Sequence, residues 1–550
     1  MKTYGRVRYP PPNPIKTLQT VSFLGWTMAQ AIAIDIGTSG IRAQLLDLGD
    51  GKVLRTCMTD RNPIPGANVM DHMSFAIDYG LDLAHSIMIE AVRDLVDRLS
   101  PTDLIRIAVC GNPIQLSLFE GIDIRDLAYA GESKLRSEGV ERIDRIGHIR
   151  DGGDLGFPGV EIVIPPAVRH EIGADALAMM LKSGFLDDDM CMVTDYGTNA
   201  EMALKVGDKI YTGSAAAGPA MEGQQIKCGM LAGPGAISDM VRTPIGWRTK
   251  VLDESLNTVD GPLVNLRSGF VNDDGVKPAG ITGTGVVALI CAALQDDRIE
   301  ESKVRNPPIK LYKGMEFSET DFKEAGKAIG AIRAGHLTLM LKAGVDPQEI
   351  RTMYMAGASG TYVDPVKSKK VGLIIPDCTV VKQVGNTSLE LAKDLARDPS
   401  ILEGLNALRE KLVTDHTMFA SSDIFSELYI QEFGYWTEGM PLNRYRRLLE
   451  RYGADGYLDR EAPMTIERIS GKDIRDTGDS LEVVHTETSM TASWVCSQCM
   501  TCVKGCPEHA LGFDDGMFTI DTGRCLGTAC QRCRENCPQH VYDYSAFVIE

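Results

Sequence analysis

The carboxy-terminal residues carry two cysteine motifs whose spacing is typical of iron–sulfur ligation. The first, C-x2-C-x2-C-x3-C-P, contains Cys496, Cys499, Cys502 and Cys506. The second, C-x4-C-x2-C-x3-C-P, contains Cys525, Cys530, Cys533 and Cys537. Three thiolates in one short loop can bind three corners of an iron–sulfur cube, and the fourth, placed before proline, reaches the neighbouring cluster. The spacing therefore predicts two [4Fe–4S] clusters, one bound by Cys496, Cys499, Cys502 and Cys537, the other by Cys525, Cys530, Cys533 and Cys506.

Structural zinc sites are the alternative interpretation, because four cysteines also suit tetrahedral zinc. Zinc sites usually pair two C-x2-C knuckles across a long spacer, whereas here three ligands fall within Cys496–Cys502 and a C-P pair follows. The widened first gap of the second motif, Leu526 to Ala529, departs from the simplest two-cluster ferredoxin. We expect residues 491–550 to form a two-cluster ferredoxin domain that transfers electrons.

Composition limits what the rest of the chain can do. A length of 550 residues predicts several domains, and a net charge of −18 argues against binding to nucleic acid. No apolar run approaches the ~20 residues that span a bilayer. Six further cysteines are scattered through the chain, which indicates a reducing compartment: Cys57, Cys110, Cys191, Cys228, Cys291 and Cys378. We expect a cytoplasmic protein without a membrane partner. Residues 1–27 are expected to be a flexible extension, or to precede a true start at Met28.

A short glycine-rich turn near the amino terminus has the features of a phosphate loop. Apolar runs at Ala31–Ile36 and Ile41–Leu48 flank the turn, whose residues are Gly37, Thr38, Ser39 and Gly40. Two strands joined by such a turn form a hairpin, and its backbone N–H groups and hydroxyls can bind an anion. Asp35, at the end of the first strand, is placed to hold a hydrated divalent metal beside that anion.

The same Asp-x-Gly-Thr pattern returns later in the chain. This second copy also follows an apolar run and comprises Asp195, Gly197, Thr198 and Asn199. One copy alone could be a structural turn, but two copies after apolar strands predict a duplicated domain with two facing hairpins. Such hairpins could bind the β- and γ-phosphates of ATP from both sides of a cleft, with Mg²⁺ between Asp35 and Asp195.

Two further glycine-rich segments follow the second hairpin. One opens an apolar helix expected to run to about Leu294, and the other ends a buried strand that begins at Met353. Between them, a Ser318-x-x-Asp321 capping box predicts a long helix ending at Gly344. Glycines at such turns allow close approach of a flat ligand, although tight packing is the alternative for each turn alone. The four glycines that could frame adenosine are Gly283, Gly285, Gly357 and Gly360.

The order of these motifs resembles the superfamily of actin, Hsp70-type chaperones and sugar kinases. Within it, several segments resemble the reductive activators of corrinoid proteins, specifically the methylamine methyltransferase type, which ends in a two-cluster ferredoxin. These segments are Gly111–Pro113, Ile172–Asp175, Ala216–Gly223 and Val384–Leu389. The resemblance implies an α/β fold: a duplicated actin/Hsp70-like ATPase core with a carboxy-terminal α+β ferredoxin domain.

The resemblance also implies an activity. It is ATP-dependent reduction of Co(II) to methyl-accepting Co(I) in a corrinoid protein, with electrons from a low-potential donor such as a ferredoxin, in methylamine-dependent methanogenesis. Asp35 and Asp195 would organise Mg²⁺, and both hairpins would bind phosphates. Glu222 is a candidate for positioning the attacking water, or a structural acid at a helix start. An electron injector for another enzyme, such as an acyl-CoA dehydratase or reductase, and a chaperone-like assembly factor with structural clusters remain alternatives.

The motifs divide the chain into predicted units. Residues 28–190 and 191–395 would form the two lobes of the ATPase core, and residues 396–490 a helical connector to the ferredoxin domain. Within the connector, Phe433–Pro441 reads as a turn-rich aromatic patch. This patch could dock a partner protein or anchor the connector to a neighbouring domain, and we favour the anchor.

Overall fold

The computed structural model describes residues 29–549 except 67, 130–131, 169–171, 198, 216, 218–224, 301, 413–416, 470–471, 486–488, 528–529 and 544–545. The predictions for the extension at 1–27, for Thr198 and for Glu222 lie outside the described residues.

The first lobe is built on a mixed sheet whose central strands are buried on both faces. Its first six strands are β1 (Gln30–Ile36), β2 (Ile41–Asp47), β3 (Val53–Thr59), β4 (Leu104–Gly111), β5 (His148–Asp151) and β6 (Glu161–Ile164). β1 pairs antiparallel with β2 and parallel with β4, and β6 lies parallel to β4. Because Ile36 pairs with Ile41, residues 37–40 form the predicted hairpin turn.

Helices of this lobe pack on the sheet, as its continuous apolar strands require. They are α1 (Val69–Tyr79), α2 (Leu81–Leu99), α3 (Pro113–Glu120), α4 (Arg125–Ala128), α5 (Glu132–Glu138) and α6 (Ala174–Lys182). α3 begins immediately after β4, with Asn112 as its N-cap accepting hydrogen bonds from the backbone N–H groups of Ile114 and Gln115. This junction brings the start of α3 beside the hairpin turn.

The second lobe contains a central sheet, a smaller mixed sheet and two short two-stranded sheets. Its strands are β7 (Met190–Asp195), β8 (Ala200–Val206), β9 (Lys209–Ala215), β10 (Ala236–Thr243), β11 (Gly246–Leu252), β12 (Thr258–Asn265), β13 (Phe270–Asn272), β14 (Gly280–Ile281), β15 (Ile299–Glu300), β16 (Lys303–Val304), β17 (Ile309–Tyr312), β18 (Met315–Phe317), β19 (Thr352–Ala356), β20 (Val380–Gly385) and β21 (Thr465–Arg468). The helices that follow in the chain are α7 (Gly283–Gln295), α8 (Glu319–Ala343), α9 (Gly357–Tyr362), α10 (Pro365–Val371), α11 (Thr387–Arg397), α12 (Ile401–Leu412), α13 (Asp423–Glu438) and α14 (Leu442–Arg451). Of these, α11 and α12 pack into the core of the first lobe.

The two central sheets share one topology. The order β9-β8-β7-β19-β20 in the second lobe repeats β3-β2-β1-β4-β6 in the first, with the same parallel and antiparallel pairings. The predicted duplication is therefore confirmed. The long helix is confirmed as well: α8 starts with the Ser318–Asp321 capping box and ends at Gly344 in the left-handed conformation.

Residues 396–490 are more closely integrated with the lobes than a connector would be. β21 adds a parallel strand to β20, and β22 (Leu481–Val484) adds one to β3. The prediction of a turn over Phe433–Pro441 is wrong for residues 433–438, because α13 continues to Glu438. The side chain of Trp436 is buried against Gly326 of α8, so the patch anchors this segment as favoured.

The tail forms a small α+β unit. Its strands are β23 (Ser489–Ala492), β24 (Leu511–Asp514), β25 (Met517–Asp521) and β26 (Val548–Ile549), and its helices are α15 (Thr501–Lys504) and α16 (Arg532–Glu535). The rings of Trp494, Phe518, Tyr542 and Phe547 pack together. In the part of the chain that the structure describes, no helix is long and apolar enough to cross a membrane.

Candidate nucleotide cleft and cysteine cavities

The first hairpin turn is tight and is held from α3. The backbone N–H of Gly37 donates to the carbonyl of Gly40 at 3.0 Å, and a Cβ on Gly37 would lie 2.9 Å from that oxygen. The Asn112 side chain donates from Nδ2 to Thr38 Oγ1 at 2.9 Å. The turn therefore needs glycine at position 37, and the orientation of Thr38 is set by the start of α3.

Both hairpins line one cleft between the lobes. The predicted residues that the structure brings together there are Asp35, Gly37, Thr38, Ser39, Asp195, Gly197, Asn199 and Gly357. This arrangement follows from the duplication, because each hairpin turn lies at the corresponding end of the strands in its own sheet. A ligand in the cleft could contact both hairpins at once.

Asp35 is buried at the base of this cleft. Its carboxylate accepts a hydrogen bond from Asn386 Nδ2 at 2.8 Å, and Arg42 Nη1 lies 3.7 Å from the same oxygen. Burial raises the pKa of Asp35, and Arg42 and Asn386 offset only part of that effect. Arg42 also forms an ion pair with Asp473 at 2.9 Å, so its charge is shared between two carboxylates.

Two further carboxyl groups complete an acidic cluster. Asp175 and Glu201 line the cleft with Asp35 and Asp195. Burial raises the pKa of Asp175 to about 7, and the charge of Asp35 adds to this effect. Burial also raises the pKa of Glu201, with contributions from Asp175 and Asp195. Like charges that share a buried site disfavour full ionisation, and a divalent cation would relieve that repulsion.

Gly357 contacts the second aspartate directly. It follows β19 in the left-handed conformation, with φ +82°, and a Cβ there would lie only 2.1 Å from Asp195 Oδ1. Just before it, the carbonyl of Ala356 accepts from the backbone N–H of Tyr196 at 3.1 Å. The end of β19 thus bonds to the backbone next to Asp195, and the first residue of α9 leaves no room beside the Asp195 carboxylate for a side chain.

The other three predicted adenosine glycines are not among the residues that line the cleft. A Cβ on Gly285 would lie 2.2 Å from the carbonyl of Ile237, so close packing alone requires this glycine, and Gly283 is buried beside it in α7. The carbonyl of Gly360 accepts from Gln383 Nε2 at 2.8 Å. A contact between these glycines and adenosine stays a prediction.

Several residues of the cleft were not singled out from the sequence as site residues. They are Arg42, Asn112, Asp175, Glu201 and Asn386. Three of them lie in segments that carry the family resemblance: Asn112, Asp175 and Asn386. Among the described residues, no three His, Cys, Asp or Glu side chains converge closely enough to hold one metal ion. Mg²⁺ between Asp35 and Asp195 therefore stays a prediction.

The eight motif cysteines line two cavities in the tail. The first cluster cavity is lined by Cys496, Cys499, Cys502 and Cys537. The second cluster cavity is lined by Cys506, Cys525, Cys530 and Cys533. Tyr542 lines both, so the cavities are neighbours. Each set draws three cysteines from one motif and the cysteine before proline from the other, as the ligation pattern of paired cubanes requires.

Hydrogen-bond donors lie beside several of the cysteine sulfurs, where they would stabilise thiolate charge. Backbone N–H groups donate to three of the thiols: Gln498 to Cys496 at 3.4 Å, Ala510 to Cys506 at 3.3 Å, and Gly527 to Cys525 at 3.3 Å. Hydrogen bonds to ligand sulfurs stabilise the negative charge of a cluster and tune its reduction potential. The donor set therefore fits iron–sulfur clusters in both cavities.

Comparisons with known proteins agree with this architecture. Residues 30–188 match the family model of the RACo middle region, and residues 189–446 match that of the C-terminal domain of RACo, the ASKHA domain. The Co(II) methylated amine-specific corrinoid protein reductase of Methanosarcina barkeri is 44% identical over 514 residues, covering 90% of this chain and 95% of that protein. The corrinoid activation enzyme RamQ of Eubacterium limosum is 23% identical over 440 residues, covering 72% and 69%.

A solved structure shares the fold. The reductive activator for a corrinoid, iron–sulfur protein superposes with a TM-score of 0.61 at 22% identity, covering 74% of this chain and 66% of that chain. The described chain thus carries the ASKHA core of these proteins and, beyond residue 446, a tail with two cysteine cavities that the family models do not include. With 44% identity over nearly the full length of its relative, the chain belongs to the family of reductive activators of corrinoid proteins.

Proposed function

We propose that the chain is an ATP-dependent Co(II) corrinoid protein reductase. Single electrons from a low-potential donor would pass through two [4Fe–4S] clusters to a corrinoid protein, where Co(II) becomes Co(I), while ATP is hydrolysed to ADP and phosphate in the cleft. One observation carries the proposal: two Asp-x-Gly-Thr hairpins share a cleft on the same chain as two four-cysteine cavities. The 44% identical relative supports the substrate class.

The charges of the cleft support a role for Mg²⁺. Among the described lining residues are four carboxyl groups and one basic side chain, Arg42. A triphosphate would be repelled by these carboxylates unless a divalent cation lay between them. In the proposal Asp35 and Asp195 hold Mg²⁺. Phosphate contacts come from Gly37, Thr38, Ser39, Gly197, Thr198 and Asn199.

The tail supports electron delivery. Its eight cysteines would hold the clusters, which supply one-electron transfer at low potential when bound. Cys499 is exposed, so the rim of the first cluster cavity is open to a redox partner. Each 100 mV of unfavourable potential costs about 2.3 kcal/mol per electron. A nucleotide cleft on the same chain is the element that could offset that cost.

The partners follow from the same proposal. The acceptor is the corrinoid protein of a methylamine methyltransferase system, and the donor is a low-potential protein such as a ferredoxin. The reaction would take place in the cytoplasm, in line with the reduced cysteines expected from the sequence.

An anaerobic reconstitution tests the proposal. The purified chain would be mixed with a Co(II) methylamine-type corrinoid protein and a low-potential reductant, and the cobalt spectrum followed with and without MgATP. Conversion to Co(I) that depends on MgATP is the expected result. Equal conversion without nucleotide would exclude energy coupling. Failure to reduce the corrinoid protein, together with activation of an acyl-CoA dehydratase, would favour the alternative electron injector.

A further inference from the structure

A short loop of the first lobe lies between the nucleotide cleft and the tail. Residues 61–66, between β3 and α1, read Arg-Asn-Pro-Ile-Pro-Gly, and Asn62–Pro65 are buried. Two prolines in this loop fix φ at alternate positions and leave the backbone few conformations. A displacement at one end of such a segment is transmitted to the other end rather than absorbed.

The cleft end of this loop is bonded to the first phosphate hairpin. Asn62 Nδ2 donates to the carbonyl of Gly37 at 2.8 Å, and its Oδ1 accepts from the backbone N–H of Ile64 at 2.9 Å. The same amide lies 3.2 Å from Gln115 Oε1, and Gln115 Nε2 lies 2.7 Å from His72 Nδ1. A single buried carboxamide therefore joins the hairpin, the proline loop and α3.

The tail end of the loop touches a cysteine ligand segment. Gly527 lies between Cys525 and Cys530, and a Cβ on it would be 2.9 Å from the carbonyl of Pro65. Its φ is +55° and it is buried. The backbone N–H of the same glycine donates to Cys525 Sγ at 3.3 Å. Pro65 thus packs against the residue whose hydrogen bond reaches a sulfur of the second cluster cavity.

We propose that Asn62 is a positioning residue that couples nucleotide occupancy of the first hairpin to the second cluster cavity. The inference rests on the proposed function, since it requires both nucleotide and clusters. A phosphate held by the N–H groups of the turn changes the position of the Gly37 carbonyl, and Asn62 passes this change to Pro65. Contact with Gly527 then alters the N–H···S bond to Cys525, which is one of the determinants of cluster potential.

Spectroscopy of the intact, cluster-loaded chain tests this coupling. The electron paramagnetic resonance spectrum and midpoint potentials of the dithionite-reduced protein would be measured without nucleotide, with MgADP and with a non-hydrolysable MgATP analogue. We expect nucleotide to change the signal and potential of one cluster in the wild type. Asn62→Ala should lose that response while binding the nucleotide within about tenfold of wild-type affinity, because the hairpin N–H groups remain.

A matched control separates coupling from general loosening of the fold. Asn406 makes the same kind of bridge, accepting from the Gly147 N–H at 2.8 Å and donating to its carbonyl at 3.0 Å, away from cleft and tail. Asn406→Ala should keep the nucleotide response. Pro65→Gly, which relaxes the loop without touching the hairpin, should lose it and serves if Asn62→Ala does not fold.

The outcomes distinguish the inference from the proposed function. If the wild type binds nucleotide and eight irons but its cluster signals do not respond, the coupling is refuted and the proposed function stands. An unchanged response in both Asn62→Ala and Pro65→Gly, or an equal loss in Asn406→Ala, also refutes it. Failure of the wild type to bind nucleotide or iron would instead refute the proposed function.

Discussion

Gly357→Ala isolates the contact between the first residue of α9 and the second aspartate. The new methyl group would lie 2.1 Å from Asp195 Oδ1, whereas real Cβ contacts are essentially never shorter than 3.0 Å, so the carboxylate must move by about 1 Å. A misplacement of about 1 Å at a positioning group can lower a rate about 10²-fold. That factor corresponds to about 2.7 kcal/mol in the activation free energy.

The same substitution also places alanine at φ +82°, which costs about 1–2 kcal/mol of folding free energy. Gly344→Ala separates the two effects. Gly344 ends α8 at φ +67°, and nothing lies within 4 Å of the position of its Cβ. It therefore carries the backbone strain without the displacement of an aspartate.

The assay follows MgATP hydrolysis and MgATP-dependent Co(II) reduction together with thermal unfolding. Both variants should unfold at a lower temperature than the wild type, but only Gly357→Ala should lose turnover by about 10²-fold. A turnover of Gly357→Ala within threefold of the wild type would refute the requirement for glycine beside Asp195. An equal loss of activity in Gly344→Ala would refute it as well.

Three further predictions concern the cleft, the tail and α8. Asp195→Ala should abolish MgATP-dependent cobalt reduction and leave the iron content unchanged; retention of full activity would contradict a role in energy coupling. Cys537→Ala should remove the signal of the cluster in the first cavity and spare the second, although the residue belongs to the second motif; loss of the second signal alone would disprove crossed ligation. Glu432→Ala leaves the largely buried Arg333 guanidinium without its carboxylate partner and should cost about 3–5 kcal/mol in unfolding free energy, whereas the exposed Glu138→Ala should barely change the melting temperature. Comparable melting temperatures for the two variants would contradict that estimate.

Local spacing in the sequence was enough to predict many of the residues that line both sites. The cysteine motifs and the repeated Asp-x-Gly-Thr turns are encoded within a few consecutive residues, because the turn conformations and the reach of the ligands depend on short-range geometry. The Ser318 capping box and the glycine that ends α8 are local in the same sense, and the structure has both where the sequence places them. The two copies of the Asp-x-Gly-Thr turn, each after an apolar strand, predicted that the two lobes would contain sheets of the same topology.

The tertiary structure alone decided which distant side chains share these sites. Asp175, Glu201 and Asn386 line the same cleft, although the spacing of residues within their own segments does not indicate that they would meet there. The same holds for β22, which joins the first sheet, and for Asn62, whose amide donates to the carbonyl of Gly37. Strand pairing and side-chain contacts between remote segments depend on the packing of the whole chain, since a strand's own residues indicate burial but not its neighbour.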